Sequence, residues 1–159
     1  MISNQFDYII IGSGLAGLQL ALSLSRDEYF QNKKIALLDI SSKTENDKTW
    51  CFWEQGEGKW ESIIHKSWSA GEVITSNKQI DFQLEPYHYK MIRSIGFYNY
   101  VLAELNKIST VEFIHEEVIA AEEKENAVTV STPSQTYEAA QVFDSRIPKG
   151  YFSEKEKYI

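Results

Sequence analysis

The hydrophobic positions in the first part of the chain change from a continuous run to a helical spacing and back to a run. Phe6–Ile11 is a short apolar run rich in isoleucine, as in a buried parallel strand. Apolar residues then recur at spacings of three and four, which predicts a helix, at Leu15, Leu18, Ala21 and Leu22. We expect this helix to end between Arg26 and Tyr29, and Lys34–Asp39 to form a second buried strand. The pattern therefore predicts one β-α-β unit.

The pattern beyond this unit predicts a hairpin, a long helix and a series of short strands. GEVITS and QIDFQL flank a turn containing Asn77, which favours a hairpin. Apolar residues have helical spacing from Tyr89 to Ile108, which predicts a helix over that whole segment. Short strands are then predicted in VEFIH, EVIAAEE, AVTVSTP and TYEAAQVFD. The tryptophan-rich stretch before the hairpin is expected to be an irregular loop.

Composition restricts the class of protein. The chain has 159 residues, 43% of them hydrophobic, and a net charge of -7, which argues against nucleic acid as a partner. One cysteine leaves no internal disulfide, and the three histidines show no metal-ligand spacing. The N-terminus lacks the basic region of a signal peptide, and no apolar run approaches the ~18 residues that span a bilayer. We expect a cytoplasmic protein without a metal site, and peripheral contact with the inner face of a membrane stays open.

The glycine-rich turn GSGLAG carries the main chemical signal. In its GxGxxG pattern, Gly12 allows a tight turn, Gly14 lets a pyrophosphate approach the backbone, and Gly17 lets helix and strand pack closely. The N-terminus of the helix adds free N–H groups and partial positive charge. The turn follows a strand and opens a helix, and this context favours a dinucleotide site over a glycine turn without a ligand. The candidate cofactor-binding residues of the turn are Gly12, Ser13, Gly14, Leu15, Ala16 and Gly17.

Asp39 is the candidate ribose ligand. It ends the second predicted strand, about twenty residues beyond Gly17. A carboxylate here accepts hydrogen bonds from a free 2′-hydroxyl, which favours FAD or NAD over NADP. Ala21 follows Gly17 in a spacing common among FAD proteins, and no second helix follows Asp39 directly, so we favour FAD over NAD.

The segment NDKTWCFWE, residues 46–54, resembles the flavin-dependent lycopene cyclases of carotenoid synthesis. GSGLAGLQLA resembles the fingerprint of the wider hydroxylase-type flavoprotein superfamily. The resemblance implies an α/β fold, a Rossmann-like FAD-binding domain with an added β-hairpin and β-meander. YKMIRSIGFYNYVLAEL resembles the superfamily helix whose arginine lies near the flavin pyrophosphate or ribityl chain, which implies that role for Arg93. EEVIAAEE resembles the strand whose backbone meets the adenine, which implies that role for Val118, and QVFDSR resembles the returning parallel strand.

The resemblance also implies an activity, lycopene β-cyclase. A terminal double bond of lycopene is protonated, a neighbouring double bond attacks the cation, and loss of a proton closes the ring without net redox change. Reduced FAD, maintained by NADPH, supports the reaction, and the partner is lycopene or a related carotenoid. Members of this family are much longer, so we expect residues 1–159 to be the N-terminal FAD/NAD(P)-binding region. The substrate and catalytic segments are expected beyond residue 159, so no residue of this chain is assigned a catalytic role, and residues 1–159 alone are expected to be inactive.

Two other functions stay open at this point. One is an FAD-dependent monooxygenase acting on an aromatic or isoprenoid substrate, which would need a pocket open to oxygen and a hydride donor. The other is a nucleotide-binding fragment without activity of its own. Consumption of oxygen with hydroxylation of the substrate would favour the monooxygenase.

The segment KTWCFWEQGEGKW holds Trp50, Trp53 and Trp60. These aromatic side chains either line the polyene pocket, where indole faces attract a cation, or pack beneath a loop. If TWCFWE is extended, Trp50 and Phe52 point one way and Cys51 and Trp53 the other. Cys51 is expected to be a small buried side chain and Glu54 a solvated carboxylate.

Overall fold

The computed structural model describes residues 4–147 and Tyr151. They fall into two compact units: the first unit is made of residues 1–42 and 103–159, and the second unit of residues 43–102. The helices are α1 (Leu15–Arg26) and α2 (Ser94–Leu105), with 3₁₀ turns at Glu28–Phe30 and Glu61–Ile63. In chain order the strands are β1 (Gln5–Ile11), β2 (Ile35–Leu38), β3 (Thr49–Glu54), β4 (Ile64–Trp68), β5 (Ala70–Ile74), β6 (Gln79–Gln83), β7 (His88–Arg93), β8 (Val111–Ile114), β9 (Ala120–Glu123), β10 (Val128–Ser131) and β11 (Thr136–Asp144).

The first unit is built on a six-stranded sheet with the strand order β8-β2-β1-β11-β10-β9. The first four strands of this order are parallel, and β11, β10 and β9 form an antiparallel meander. Ile11 pairs with Leu38 on one side and with Asp144 on the other, so the parallel strands end together at one edge of the sheet. This confirms the predicted Rossmann-like α/β fold, its meander and the returning parallel strand.

The buried residues of the first unit match the strand and helix patterns of its sequence. All four residues of β2 are buried, as expected for a parallel strand covered on both faces. Helix α1 buries Gly17, Leu18, Ala21 and Leu22, which share one face at helical spacing. The helix ends at Arg26, inside the predicted interval.

The second unit contains a three-stranded antiparallel sheet, β3-β7-β4, and the hairpin β5-β6. The hairpin was predicted, and its turn is closed by the hydrogen bond from the Thr75 N–H to the Lys78 carbonyl at 2.8 Å. The expectation of an irregular loop in the tryptophan-rich stretch is wrong, because TWCFWE forms β3.

The prediction of a helix from Tyr89 to Ile108 is also wrong at its ends. Tyr89 to Arg93 belong to β7, which lies between β3 and β4, and α2 starts only at Ser94 and ends at Leu105. The apolar residues of β7 fit a strand as well as a helix. Pairing with strands distant in sequence on both sides decides in favour of the strand.

Candidate functional site

The glycine turn lies at the carboxyl end of β1. Gly12 has a φ of +95°, a backbone conformation that favours glycine. A side chain at Gly17 would put its Cβ 1.9 Å from the Gly12 carbonyl oxygen, so only glycine allows α1 to start this close to β1. A Cβ at Gly14 would meet nothing within 4 Å. The backbone of Gly14 is therefore open to the space in front of the turn.

The N-terminus of α1 suits an anion. Gly14 is the N-cap and provides no side-chain hydrogen bond, and the first turn of α1 contains no acidic residue. The first N–H groups of a helix have no partner within the helix and carry partial positive charge. Leu15 and Ala16 are the first two residues of this turn.

Asp39 follows β2 and braces the glycine turn. Its Oδ2 accepts hydrogen bonds from the Ser13 N–H at 2.7 Å and from the Ser13 hydroxyl at 3.0 Å. Its Oδ1 accepts from the Ser41 N–H at 2.7 Å. Ser13 is buried, so its observed role is to bind Asp39.

A cavity of about 400 Å³ lies at the edge where the parallel strands end. Open α/β sheets bind their ligands at this edge. The cavity brings together Gly12, Gly14, Asp39 and Val118, all of which the sequence indicated. The residues of the first unit that are predicted to contact phosphate, ribose and adenine therefore line one cavity.

The other residues of the predicted turn lie beside this cavity and do not line it. Ala16 and Gly17 line a smaller cavity of about 200 Å³ in the same unit, and Leu15 is the first residue of α1. Contact of Ser13, Leu15, Ala16 and Gly17 with a cofactor stays a prediction, as does that of the residues that line the larger cavity.

Val118 and Arg146 meet at the wall of the larger cavity. Val118 lies just before β9, not within it as predicted, and its carbonyl accepts a hydrogen bond from Arg146 Nη1 at 2.7 Å. Arg146 also binds Asp144, with Nε 3.0 Å from Oδ1 and Nη2 2.6 Å from Oδ2. Partial burial raises the pKa of the Asp144 carboxyl, but the hydrogen bonds from Arg146 outweigh it and hold that pKa below its ordinary value.

Sequence reasoning did not identify Ser145 and Arg146 as residues of this site. Both line the cavity, and Ser145 binds the Ile11 carbonyl through its N–H at 3.1 Å and its hydroxyl at 2.8 Å. The available signal was the polar DSR segment directly after a predicted parallel strand, because such strands end at the ligand edge of the sheet.

Arg93, the other predicted cofactor ligand, belongs to the second unit. It is the last residue of β7, pairs with Thr49 and is exposed. Its role at the flavin stays a prediction.

Two of the tryptophans pack against α2 within the second unit. The Trp50 ring lies 5.4 Å from the Phe97 ring and 5.9 Å from the Tyr98 ring, measured between centroids. The Trp60 ring lies 5.1 Å from that of Phe97, which is fully buried. Packing is therefore the observed role of Trp50 and Trp60.

Trp53 lies on the opposite face of the three-stranded sheet and is 58% exposed. Its ring is 4.8 Å from that of Tyr89, which lies 5.8 Å from the ring of Trp68. Cys51 is exposed, so the expectation that it is buried is wrong, because the alternation along β3 turns it away from α2. Trp53, Tyr89 and Trp68 form what we call the outer aromatic face.

Glu54 binds a buried lysine, which corrects its expected role as a solvated carboxylate. Lys90 is 3% exposed, and its Nζ lies 3.0 Å from Glu54, 2.6 Å from Glu61 and 2.6 Å from the Gly56 carbonyl. The hydrogen bond with Glu61 raises the pKa of Lys90, and Lys90 in turn holds the pKa of Glu61 below its ordinary value. This cluster joins β3 and β7 to the segment between β3 and β4.

The start of the NDKTWCFWE segment caps α2. The Asn46 side-chain oxygen accepts from the Ile95 N–H at 3.4 Å, and Asp47 accepts from the Tyr98 hydroxyl at 3.1 Å. The Lys48 N–H donates to the buried Ser94 hydroxyl at 3.0 Å. The segment is therefore a cap for α2 followed by a strand whose inner face packs on the same helix.

Within residues 4–147 and Tyr151, no group of three or more His, Cys, Asp or Glu side chains could hold a metal ion. None of the helices in this part of the chain is long and apolar enough to cross a membrane.

Several solved structures have a similar fold. PqsL of Pseudomonas aeruginosa, in complex with 2-aminobenzoylacetate, matches with a TM-score of 0.67 and 17% identity, over 87% of this chain and 42% of PqsL. The halogenase PltM, in complex with phloroglucinol and FAD, matches with a TM-score of 0.65 and 13% identity, over 96% of this chain and 36% of PltM. The amino acid oxidase NikD matches with a TM-score of 0.61 and 14% identity, over 92% of this chain and 52% of NikD. At these identities the similarity shows the fold, and the chain spans about half or less of each of these proteins.

Comparison with protein families is more specific. No curated protein sequence matches the chain. The profile of the lycopene cyclase protein family matches residues 7–157, which include the glycine turn, Asp39, most of the first unit and the whole second unit. The chain therefore belongs to the lycopene cyclase family.

Proposed function

We propose that this chain supplies the FAD-binding part of a lycopene cyclase that converts lycopene to β-carotene, with NADPH as the reductant that keeps the flavin reduced. The observation that carries the proposal is the family match over residues 7–157. The cavity that joins the glycine turn to Asp39 supports it, because this is the arrangement that dinucleotides require.

The residues of the first unit fit the ADP half of FAD. The space in front of Gly14 is open, and the N-terminus of α1 offers N–H groups to the pyrophosphate. Asp39 lines the cavity with a carboxylate, an acceptor that suits ribose hydroxyls, and Val118 presents its backbone to the adenine. The solved complex of PltM contains FAD in a protein of similar fold, which also supports the assignment. In the second unit, the resemblance to the superfamily assigns Arg93 to the pyrophosphate or ribityl chain.

When bound, reduced FAD supplies electron density that supports a cationic reaction without being consumed. The proposed reaction adds a proton to a terminal double bond of lycopene, closes the ring by attack of a neighbouring double bond, and releases a proton. It needs a carboxylic acid with a raised pKa. Six carboxyl groups of the described residues have a pKa that their surroundings lower, the opposite of what this role needs: Asp7, Asp47, Glu61, Glu104, Glu116 and Asp144. In line with the family resemblance, we assign no catalytic acid to this chain.

The outer aromatic face is the surface that we assign to the polyene. Trp53 is 58% exposed there, whereas Trp50 packs on Phe97. An indole face attracts a cation by roughly 0.5–2 kcal/mol, which suits a carbocation intermediate.

The test is expression of the complete gene product in bacteria that accumulate lycopene, followed by extraction and chromatography of the pigments. We expect β-carotene to replace lycopene. Unchanged lycopene beside folded, flavin-loaded protein and a working supply of reductant would overturn the proposal. A hydroxylated carotenoid formed with consumption of oxygen would favour the monooxygenase instead.

A further inference from the structure

Arg146 connects two segments that form the wall of the larger cavity. Its Nε and Nη2 donate hydrogen bonds to the two carboxylate oxygens of Asp144, and its Nη1 donates to the Val118 carbonyl at 2.7 Å. Asp144 is the last residue of β11 and pairs in register with Ile11 of β1. Arg146 therefore fixes the position of Val118 relative to the strand that leads into the glycine turn.

The backbone of the segment that contains Val118 has few other polar contacts, although the Val118 side chain packs in the core of the first unit and Glu116 accepts a hydrogen bond from the Ser134 hydroxyl at 2.7 Å. Residues 115–119 join β8 to β9, and their backbone is held by the Glu116 N–H to the Ile114 carbonyl at 3.0 Å and by the Ile119 N–H to the Ser131 carbonyl at 2.8 Å. Within the described residues, the Val118 N–H donates to no backbone carbonyl. The bond from Arg146 is thus the polar contact that holds the Val118 peptide.

The contact depends on the shape of the guanidinium group and not only on its charge. The Nε and Nη2 groups of the planar guanidinium bind the two oxygens of Asp144, and the remaining Nη1 group is then oriented towards the Val118 carbonyl. A lysine ammonium carries the same charge but cannot present this fork. Isolated surface ion pairs contribute little, but a bidentate arginine–carboxylate pair has the geometry that makes such a pair effective.

We propose that Arg146 is a positioning residue for the adenine end of the nucleotide: it holds residues 116–118, which line the cavity, as the wall against which the adenine packs. This inference rests on the proposed FAD site. It predicts that affinity for an adenine nucleotide depends on the bidentate pair with Asp144 together with the bond to Val118. Arg146→Lys, which keeps only the charge, should therefore weaken binding as Arg146→Gln does.

The experiment titrates ADP into the complete gene product, freed of flavin, by calorimetry. Arg146→Gln and Arg146→Lys are each expected to weaken ADP binding by about 10-fold, with melting temperatures close to that of the wild type. Arg26→Gln is the matched control, because it removes another arginine–carboxylate pair of the same unit, with Glu104 at 3.4 Å, from a helix end outside the cavity lining. The control is expected to bind ADP as the wild type does.

The outcomes separate this inference from the proposed function. Wild-type affinity in either Arg146→Gln or Arg146→Lys would overturn the inference and leave the FAD site standing. Failure of the wild type itself to bind ADP would overturn both. If Arg146→Gln does not fold, the double variant Asp144→Asn, Arg146→Gln removes the unpaired carboxylate, and wild-type ADP affinity in that protein would equally overturn the inference.

Discussion

The carboxylate of Asp39 accepts hydrogen bonds from both the backbone N–H and the hydroxyl of Ser13, at 2.7 and 3.0 Å. The residue that the sequence indicates as the ribose ligand therefore also braces the turn that approaches the pyrophosphate. One side chain links the two halves of the proposed ADP site.

Replacing Asp39 with alanine is expected to weaken FAD binding by about 10- to 100-fold, which corresponds to about 1–3 kcal/mol for lost hydrogen bonds to a charged acceptor. Ser13→Ala is the graded comparison, because it removes the hydroxyl contact and keeps the N–H contact. Ser13→Ala should weaken FAD binding only a few-fold. Fluorescence titration of the flavin-free protein measures both, and equal affinity in Asp39→Ala and wild type would contradict the prediction.

Two glycines of the turn should respond to alanine in opposite ways. Gly17→Ala places a Cβ 1.9 Å from the Gly12 carbonyl oxygen and is expected to lower the yield of folded protein. Gly14→Ala meets nothing within 4 Å and has an extended backbone at φ -78°, so it should melt as the wild type does. Its methyl group would occupy the space proposed for the pyrophosphate, so FAD binding should fall. A Gly14→Ala protein that retains full flavin would refute the assigned position of the pyrophosphate.

Alanine substitutions at Trp50 and at Trp53 should have different effects on stability and activity. Trp50→Ala removes a ring packed on Phe97 and Tyr98 and is expected to cost about 2–4 kcal/mol in the free energy of unfolding. Trp53→Ala removes a ring that is mostly exposed and should cost less than about 1 kcal/mol. In the cyclase assay, Trp53→Ala should lose turnover while it keeps flavin, and Trp53→Phe should retain part of the rate. Full turnover in Trp53→Ala would contradict the assignment of the polyene to the outer aromatic face.

The Lys90 cluster predicts a pH dependence of stability. The pKa of Glu61 is lowered by its hydrogen bond with Lys90, so its contribution is present above the unfolded pKa and is lost as the pH falls through the folded pKa. The pKa of Lys90 is raised, so that contribution is lost only at strongly basic pH.

Glu61→Gln should therefore melt below the wild type at pH 7, and the difference should shrink as the pH falls below about 4.3, the ordinary pKa of a glutamate, towards the lowered folded pKa of Glu61. Glu57→Gln is the control, since Glu57 is exposed and forms no ion pair among the described residues. Thermal melts of the three proteins between pH 3 and pH 8 provide the measurement, in steps of about one pH unit. A difference between Glu61→Gln and wild type that persists unchanged at low pH would show that the ion pair does not cause it.

Local signals in the sequence are sufficient to predict the β-α-β unit and the position of Asp39 at its end. The run Phe6–Ile11, the spacing of α1 and the glycine turn lie next to one another, so their periodicity and turn chemistry predict the unit and place Asp39 at its end. The hairpin β5-β6 was predictable for the same reason, because its strands are joined by a short turn.

Features that depend on pairing between distant segments follow only from the folded chain. Tyr89 to Arg93 have apolar positions compatible with helix or strand, and β3 and β4 on either side make them a strand. The hydrogen bond from Ser145 to Ile11 joins residues 134 apart in the chain, and it brings Arg146 to the cavity. The sequence indicated the return of β11 only through the resemblance of QVFDSR to the superfamily strand, and no local periodicity gives its register beside β1, which depends on the whole sheet.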